Sequence, residues 1–245
     1  MTAPRLDACY FTGSHPLWRR LAAVLETSAQ QHCPDWEIRV REIAPAPATS
    51  AIGHESHARN TQKLEHWCEI VSAATSGDRV LLIDADTFIL RPLDHIWSRA
   101  FDLAYTTKRG AKFPFNGGVI FLRISDRVKA FVGDWAARNR GMLSDRVHHV
   151  RWRQRYGGIN QGSLASLLAE NTHGLAIQEL PCLEWNCEDS AWAAFDPDVT
   201  RIVHVKSALR RAIFQTIRPS RPDKTLVPLI ERWRALEAHA LARSA

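Results

Sequence analysis

The sequence predicts an α/β domain with a mixed, mostly parallel central sheet flanked by helices. Three observations predict it. Apolar strand-like runs alternate with segments at helical spacing, in the order strand, helix, strand, helix, strand as far as Ile83, the order that builds a parallel sheet. Val80 to Ile83 is an unbroken apolar run rich in branched side chains, the pattern of a strand buried on both faces. That run ends in Asp84 and Asp86, and open α/β sheets bind ligands at the carboxyl ends of their strands.

Leu6 to Phe11 reads as the first strand, ending in Thr12-Gly13-Ser14. Ser14 or His15 begins a helix, with Pro16 suited to its first turn and Leu17, Leu21, Val24 and Leu25 on one face. Trp36 to Ile43 alternates apolar and charged residues, as a half-buried strand does. Ala44 to Ser56, with two prolines and many small residues, reads as a loop. Thr61 to Ala74 carries Leu64, Trp67, Cys68, Val71 and Ala74 on one helical face. After Asp86 come a short helix near Pro92 to Trp97 and a strand at Phe101 to Thr106. The block Lys112-Phe113-Pro114-Phe115-Asn116-Gly117-Gly118 leads into a strand at Val119 to Leu122. Asn116-Gly117-Gly118 also reads as a plain turn. Asp126 caps a helix through Ala137 with Val128, Phe131, Val132 and Trp135 buried. Arg146 to Arg155 is basic and aromatic and reads as a solvated loop, or as a surface for an anionic or lipid-linked molecule with Trp152 and Tyr156 as stacking platforms. Gly157-Gly158 breaks it, and Asn160 starts a helix through Ala169. Ala176 to Leu180 and Ile202 to Val205 are further strands. Thr225 to Ala242 is an amphipathic helix with Leu226, Leu229, Ile230, Trp233, Leu236 and Leu241 on its apolar face. No repeat or linker divides the chain, so residues 1–245 read as one domain.

The 245 residues, 45% of them hydrophobic, suffice for a sizeable core. No apolar run approaches the roughly 20 residues of a membrane span. Met1 to Asp7 lacks a signal peptide's apolar segment, so the expected location is the cytoplasm, or the inner face of its membrane through peripheral contact. The five scattered cysteines read as buried thiols, without the second close pair a zinc site needs. A net charge of +6 points to an anionic partner. There is no Walker A motif and no GxGxxG after the first strand, which argues against P-loop hydrolysis and dinucleotide dehydrogenation. His54 and His57 are three apart, not four, which argues against a metalloprotease of the HExxH kind.

In an extended chain residues two apart share a face, so Asp84 and Asp86 converge on one point. Two such carboxylates repel unless a proton or cation lies between them, and a hard divalent ion with oxygen ligands suits the place.

With Lys63 opening a helix, the ordered set LLIDADTFIL, FNGGVIFL, INQGSLASLL, LPCLEWN and IVHVKSALRR resembles the family 8-type retaining glycosyltransferases, the glycogenin and bacterial galactosyltransferase group, which have the GT-A fold. The resemblance covers roughly residues 5 to 215. It implies a hexosyltransferase using a nucleotide-diphosphate sugar, a UDP-sugar by analogy, and a divalent metal, Mn2+ or Mg2+. Asp84 and Asp86 match the metal-binding DxD around Ala85, and His204 matches the histidine that completes the metal site. Arg210 lies near the family's basic residue for the diphosphate, although its Gly-x-x-Lys-Pro-Trp is absent. Lys63 matches the basic residue on the donor sugar or phosphate. Asn116, with Gly117, matches the block that contacts the donor sugar. Asn160 and Gln161 match the Asp-Gln pair whose glutamine lies near the anomeric carbon, with Asn160 in place of the aspartate. Tyr10, Phe11 and Thr12 fall where the family binds uracil and ribose. The acceptor, whether glycan, lipid-linked sugar or protein, is not named by the sequence.

The expected catalytic set is thus Gln161, Asn160 and Asp86. With no carboxylate placed by motif as a nucleophile, front-side attack beside Gln161 fits better than double displacement. His204 reads equally as a core histidine, Lys63 as a solvated helix residue, and Trp185-Asn186 as core packing or part of an acceptor pocket. A nucleic-acid-binding or nuclease-like protein, or a transferase fold that only binds its ligand, are the competing readings.

Overall fold

The computed structural model describes residues 2–13, 16–46, 55–108, 114–156, 158–214 and 224–244. The expected helix start at Ser14 or His15, most of the 44–56 loop, Lys112 and Phe113, and the break at Gly157 lie outside them.

The element order is β1 (Arg5–Phe11), α1 (Leu17–His32), β2 (Glu37–Ile43), α2 (Glu55–Ala73), β3 (Arg79–Ile83), β4 (Thr87–Ile89), a 3-10 turn (Asp94–Ser98), β5 (Leu103–Thr107), β6 (Phe115–Arg123), α3 (Asp126–Met142), α4 (Arg146–Tyr156), α5 (Ile159–Glu170), β7 (Ile177–Pro181), α6 (Cys182–Trp185), β8 (Ile202–His204), α7 (Ser207–Phe214) and α8 (Val227–Ser244). The main sheet runs β2-β1-β3-β6-β5-β7, and β4 pairs with β8 in a second, two-stranded sheet. β1 is parallel to β2 and β3, β5 is parallel to β7, and β6 runs antiparallel between β3 and β5. One reversed strand at the centre makes the sheet mixed but mostly parallel, as expected.

Apolar side chains of β3, β5 and β6 point alternately to two faces, as the strand period of two requires. Val80, Leu82, Ile120 and Leu122 pack under α2, α3 and α5, with Trp67 and Trp135 at the centre of that layer. Leu81, Ile83, Val119 and Phe121 pack on the other face with Leu25, Trp97 and Trp185. A third cluster joins α1, the β4–β8 pair, α7 and α8 through Leu21, Phe88, Val203 and Trp233. Large apolar side chains in these layers, each contributing about 1.5–3 kcal/mol when fully buried, supply the main driving force.

Four expectations need correction. The basic stretch from Arg146 is the helix α4 and not a loop. Its Trp152 and Tyr156 stack on each other at 5.8 Å and pack against the core, so they are not free platforms. The cap of α3 is Ser125, whose hydroxyl accepts from the Val128 amide at 3.3 Å, one residue before the expected Asp126. β6 begins at Phe115, so Asn116, Gly117 and Gly118 lie in a strand and not in a turn. Finally, α8 buries Leu226 beneath its start and Leu229, Ile230, Trp233 and Leu236 along its length, but Leu241 is exposed. α8 packs on α1, where Arg20 and Glu237 form an ion pair.

Candidate metal and nucleotide-sugar site

The turn between β3 and β4 carries Asp84 and Asp86, and each backbone is pinned to a different sheet. The Asp84 amide donates to the Gly118 carbonyl at 2.8 Å, extending the β3–β6 ladder by one step. The Asp86 carbonyl accepts from the Val205 amide at 2.7 Å, extending the β4–β8 ladder. β8 brings in His204 opposite Thr87. One ligand atom from each of Asp84, Asp86 and His204 lies within 4.8 Å of the other two. His204 Nε2 is 3.2 Å from Asp86 Oδ1 and 3.8 Å from Asp84 Oδ2. His204 and Asp86 are buried, and Asp84 is half-buried.

Cations brace the far side of each carboxylate. Lys63, on α2, pairs with Asp84 Oδ1, and its ammonium lies 4.5 Å from the Trp67 ring centre. Burial alone would lower the pKa of Lys63, but the Asp84 carboxylate beside it outweighs this and raises it. Arg210, on α7, pairs with Asp86 Oδ2, donates from Nε to the Val205 carbonyl at 3.0 Å, and lies 5.0 Å over the Trp18 ring. Burial would raise the pKa of Asp86, yet His204, Arg210 and Lys206 together hold it well below the carboxylate range. Lys63 is therefore not a solvated helix residue, while His204 is a buried histidine with Nδ1 hydrogen-bonded to Asn186 Oδ1 and Nε2 beside the two carboxylates.

The donor set fits a divalent ion. Two carboxylate oxygens and an imidazole nitrogen converge, a combination that can hold such a cation. Gly118 leaves room for this convergence. A Cβ built there would lie 2.5 Å from Asp84 Oδ2 and 2.7 Å from His204 Cε1.

Other expected residues surround this point. Gln161, in the first turn of α5, accepts from the Gly117 amide at 3.0 Å and donates to the Tyr156 carbonyl at 2.6 Å. Asn160 is buried, and its carbonyl accepts from the Trp135 indole at 3.0 Å. Asn116 is buried with Oδ1 accepting from the Gly118 amide at 2.8 Å. Ala85 packs into the core below the turn. Tyr10 and Thr12 sit at the end of β1, on the same rim. Tyr10 lines a cavity of about 210 Å3 with Phe11, Gly13, Pro16, Arg19 and Glu42.

Two features are not legible in the sequence as site elements, Ser207 and a large cavity, and a third, Asn186, reads there as core packing or part of an acceptor pocket and not as a neighbour of His204. Asn186, fully buried, joins His204 to Asn116 and Thr106. Ser207, with φ +37°, is a left-handed non-glycine residue between His204 and Arg210. A cavity of about 1050 Å3 opens at the ends of β5 and β7, with Tyr105, Lys108, Phe115, Arg155, Tyr156 and Glu179 among its lining. The sequence signals for Asn186 are its place at the end of the LPCLEWN block and its setting between Trp185 and Cys187, and neither points to His204.

No protein-family model and no curated protein matches the chain. Solved structures do. A glycosyltransferase involved in glycosylating the major capsid of PBCV-1 matches with TM-score 0.58 at 14% identity, over 85% of this chain and 96% of its own. The galactosyltransferase LgtC, solved with donor and acceptor sugar analogues, matches with TM-score 0.57 at 12% identity, over 96% of this chain and 95% of its own. The glycosyltransferase GlyE of Streptococcus pneumoniae TIGR4 matches with TM-score 0.59 at 14% identity, over 98% of this chain but 63% of its own. At such identities the likeness is one of fold, and the fold is that of the GT-A glycosyltransferases.

Proposed function

We propose that the protein is a metal-dependent glycosyltransferase of the family 8 type, acting as one domain over residues 1–245. In this reading it moves a hexose from a UDP-sugar to an acceptor with retention of configuration. The convergence of Asp84, Asp86 and His204 at the sheet rim carries the reading. Mn2+, when bound there, supplies Lewis-acid neutralisation of the donor diphosphate.

The chain's own residues would do the rest. Arg210 and Lys206 offer fixed positive charge where the leaving diphosphate gathers negative charge. Lys63 holds Asp84 in place and would add positive charge beside a donor phosphate or sugar. Tyr10 and Phe11 border the small cavity that suits a nucleobase and ribose, and Thr12 follows them at the end of β1. Gln161 is tied at both ends of its amide, to Gly117 and to Tyr156, so its position on the strand rim is held without a ligand. Asn160 and Gln161 would face the reacting sugar, with front-side departure and attack. The large cavity beyond Phe115, with its aromatic and polar lining, offers space for the acceptor. A helical, core-packed α4 with its aromatics stacked on each other speaks against the nucleic-acid reading, which needs exposed stacking faces. No helix among the described residues is long and apolar enough to cross a membrane, and the cytoplasm or its membrane face stays the proposed location.

Thermal denaturation with UDP and Mn2+, with UDP alone and with an oligonucleotide tests the reading. Stabilisation by UDP only when Mn2+ is present supports it, and release of free UDP in a donor-sugar screen then identifies a catalyst. Equal stabilisation by UDP with and without metal, or stabilisation by the oligonucleotide, overturns it.

A further inference from the structure

The hydrogen bonds behind His204 can be read only one way. The Gly118 amide is an obligate donor, so the Asn116 side-chain atom it meets at 2.8 Å is the carbonyl oxygen. The Asn186 atom 3.2 Å from that same oxygen must then be the amide nitrogen. The nitrogen also meets Thr106 Oγ1 at 2.9 Å, and that hydroxyl spends its own proton on the Asn116 backbone carbonyl at 3.0 Å. The remaining Asn186 atom is its oxygen, which lies 3.0 Å from His204 Nδ1. An oxygen there accepts, so Nδ1 carries a proton and Nε2 faces the two aspartates. Asn186 is 0% exposed and His204 is 1% exposed, so water offers no substitute partner. The backbone holds the two in register. The Cys187 amide donates to the Ile202 carbonyl and the His204 amide to the Cys187 carbonyl, both at 2.8 Å.

We infer that Asn186 is a positioning residue that holds His204 with Nδ1 protonated and Nε2 aimed at the gap between Asp84 and Asp86. The relay begins at a backbone amide of β6, so the orientation of the imidazole is set by the main sheet and not by the metal. The inference rests on the proposed metal site for its purpose but not for its geometry, and its tests separate the two.

The first test is 15N NMR of metal-free, histidine-labelled protein. A proton on His204 Nδ1, in slow exchange with water, is the expected result, and its loss or fast exchange is expected in Asn186→Leu. A pyridine-like, unprotonated Nδ1 in the unsubstituted protein overturns the inference whatever the variant does. The second test is Mn2+ titration followed by the EPR signal of the free ion, without nucleotide. Loss of such a partner typically weakens metal binding 10- to 100-fold, and that loss is expected for Asn186→Leu. Asn186→Asp keeps the acceptor on Nδ1 and is expected to retain the Nδ1 proton and bind Mn2+ more tightly than Asn186→Leu, short of full affinity because its second oxygen faces the Asn116 oxygen where the amide nitrogen donated. Equal affinity in Asn186→Leu and the unsubstituted protein overturns the positioning role. Absence of Mn2+ binding by the unsubstituted protein overturns the metal site itself, with the NMR result still deciding the geometry.

Discussion

Gly118→Ala is the most informative single change, because it adds one methyl group at the most crowded point of the site. The new Cβ would lie 2.5 Å from Asp84 Oδ2, 2.7 Å from His204 Cε1 and 2.9 Å from Asn116 Oδ1, where ordinary contact begins at 3.4 Å. Asp84 must therefore retreat by about 0.9 Å, and His204 by about 0.7 Å. Neither can do so freely. Asp84 is paired to Lys63, and His204 is tied to Asn186. Overpacking of this kind costs about 1–3 kcal/mol, or roughly 2–12 °C in Tm for a chain of this size. A misplacement near 1 Å costs about 100-fold in turnover. Differential scanning calorimetry and UDP release measure the two effects, with Gly133→Ala on α3 as control. A Cβ there meets nothing within 4 Å, so that variant should gain about 0.5–1 kcal/mol. A Gly118→Ala protein with unchanged Tm, Mn2+ affinity and turnover would refute the packing argument.

Further outcomes are expected. Asp86→Ala should abolish Mn2+-dependent UDP release and the Mn2+-dependent rise in Tm with UDP, and a variant with full activity ends the mechanism. The buried Glu188 would be raised by burial, but hydrogen bonds from Asp189 and Ser190, with Lys108 and Lys206, hold it down at about 2. A lowered carboxyl adds stability that is complete above its ordinary value of 4.5 and fades as pH falls from there towards 2. Lys108→Met removes the partner 3.1 Å away and should cost about 3–5 kcal/mol, with the acid-unfolding midpoint moving to higher pH in circular dichroism. An unmoved midpoint counts against the pair. Burial pushes the thiols of Cys9, Cys33, Cys182 and Cys187 up to about 12, so native-state alkylation read by mass spectrometry should label the half-buried Cys68 first.

What could be read from the residues was what local pattern encodes. Val80 to Ile83 announced a doubly buried strand, and the carboxylates after it announced the rim. Alternation and helical spacing located most of the remaining elements to within a few residues. The basic helix α4 escaped because charge is spread around all of it and no apolar stripe marks a helical period. The reversal of β6 escaped because a strand's direction is a property of its neighbours and not of its own residues. Asn186 reads as core packing or part of an acceptor pocket, and its contact with His204 escaped for the same reason, since it exists only once Gly118, Asn116 and His204 are brought together. Ser207 shows the converse. The family motif has a glycine three residues before its basic residue, and here Ser207 stands three before Arg210 with a φ that favours glycine. The residue differs, while the backbone keeps a glycine-like turn.

The two aspartates lie in the first half of the chain, whereas His204 and Arg210 arrive at its far end on β8 and α7. His204 reaches the aspartates only through the β4–β8 pairing, so a metal bound by all three, as proposed, requires the small two-stranded sheet to have closed. Under that proposal, metal retention doubles as a gauge of completed assembly.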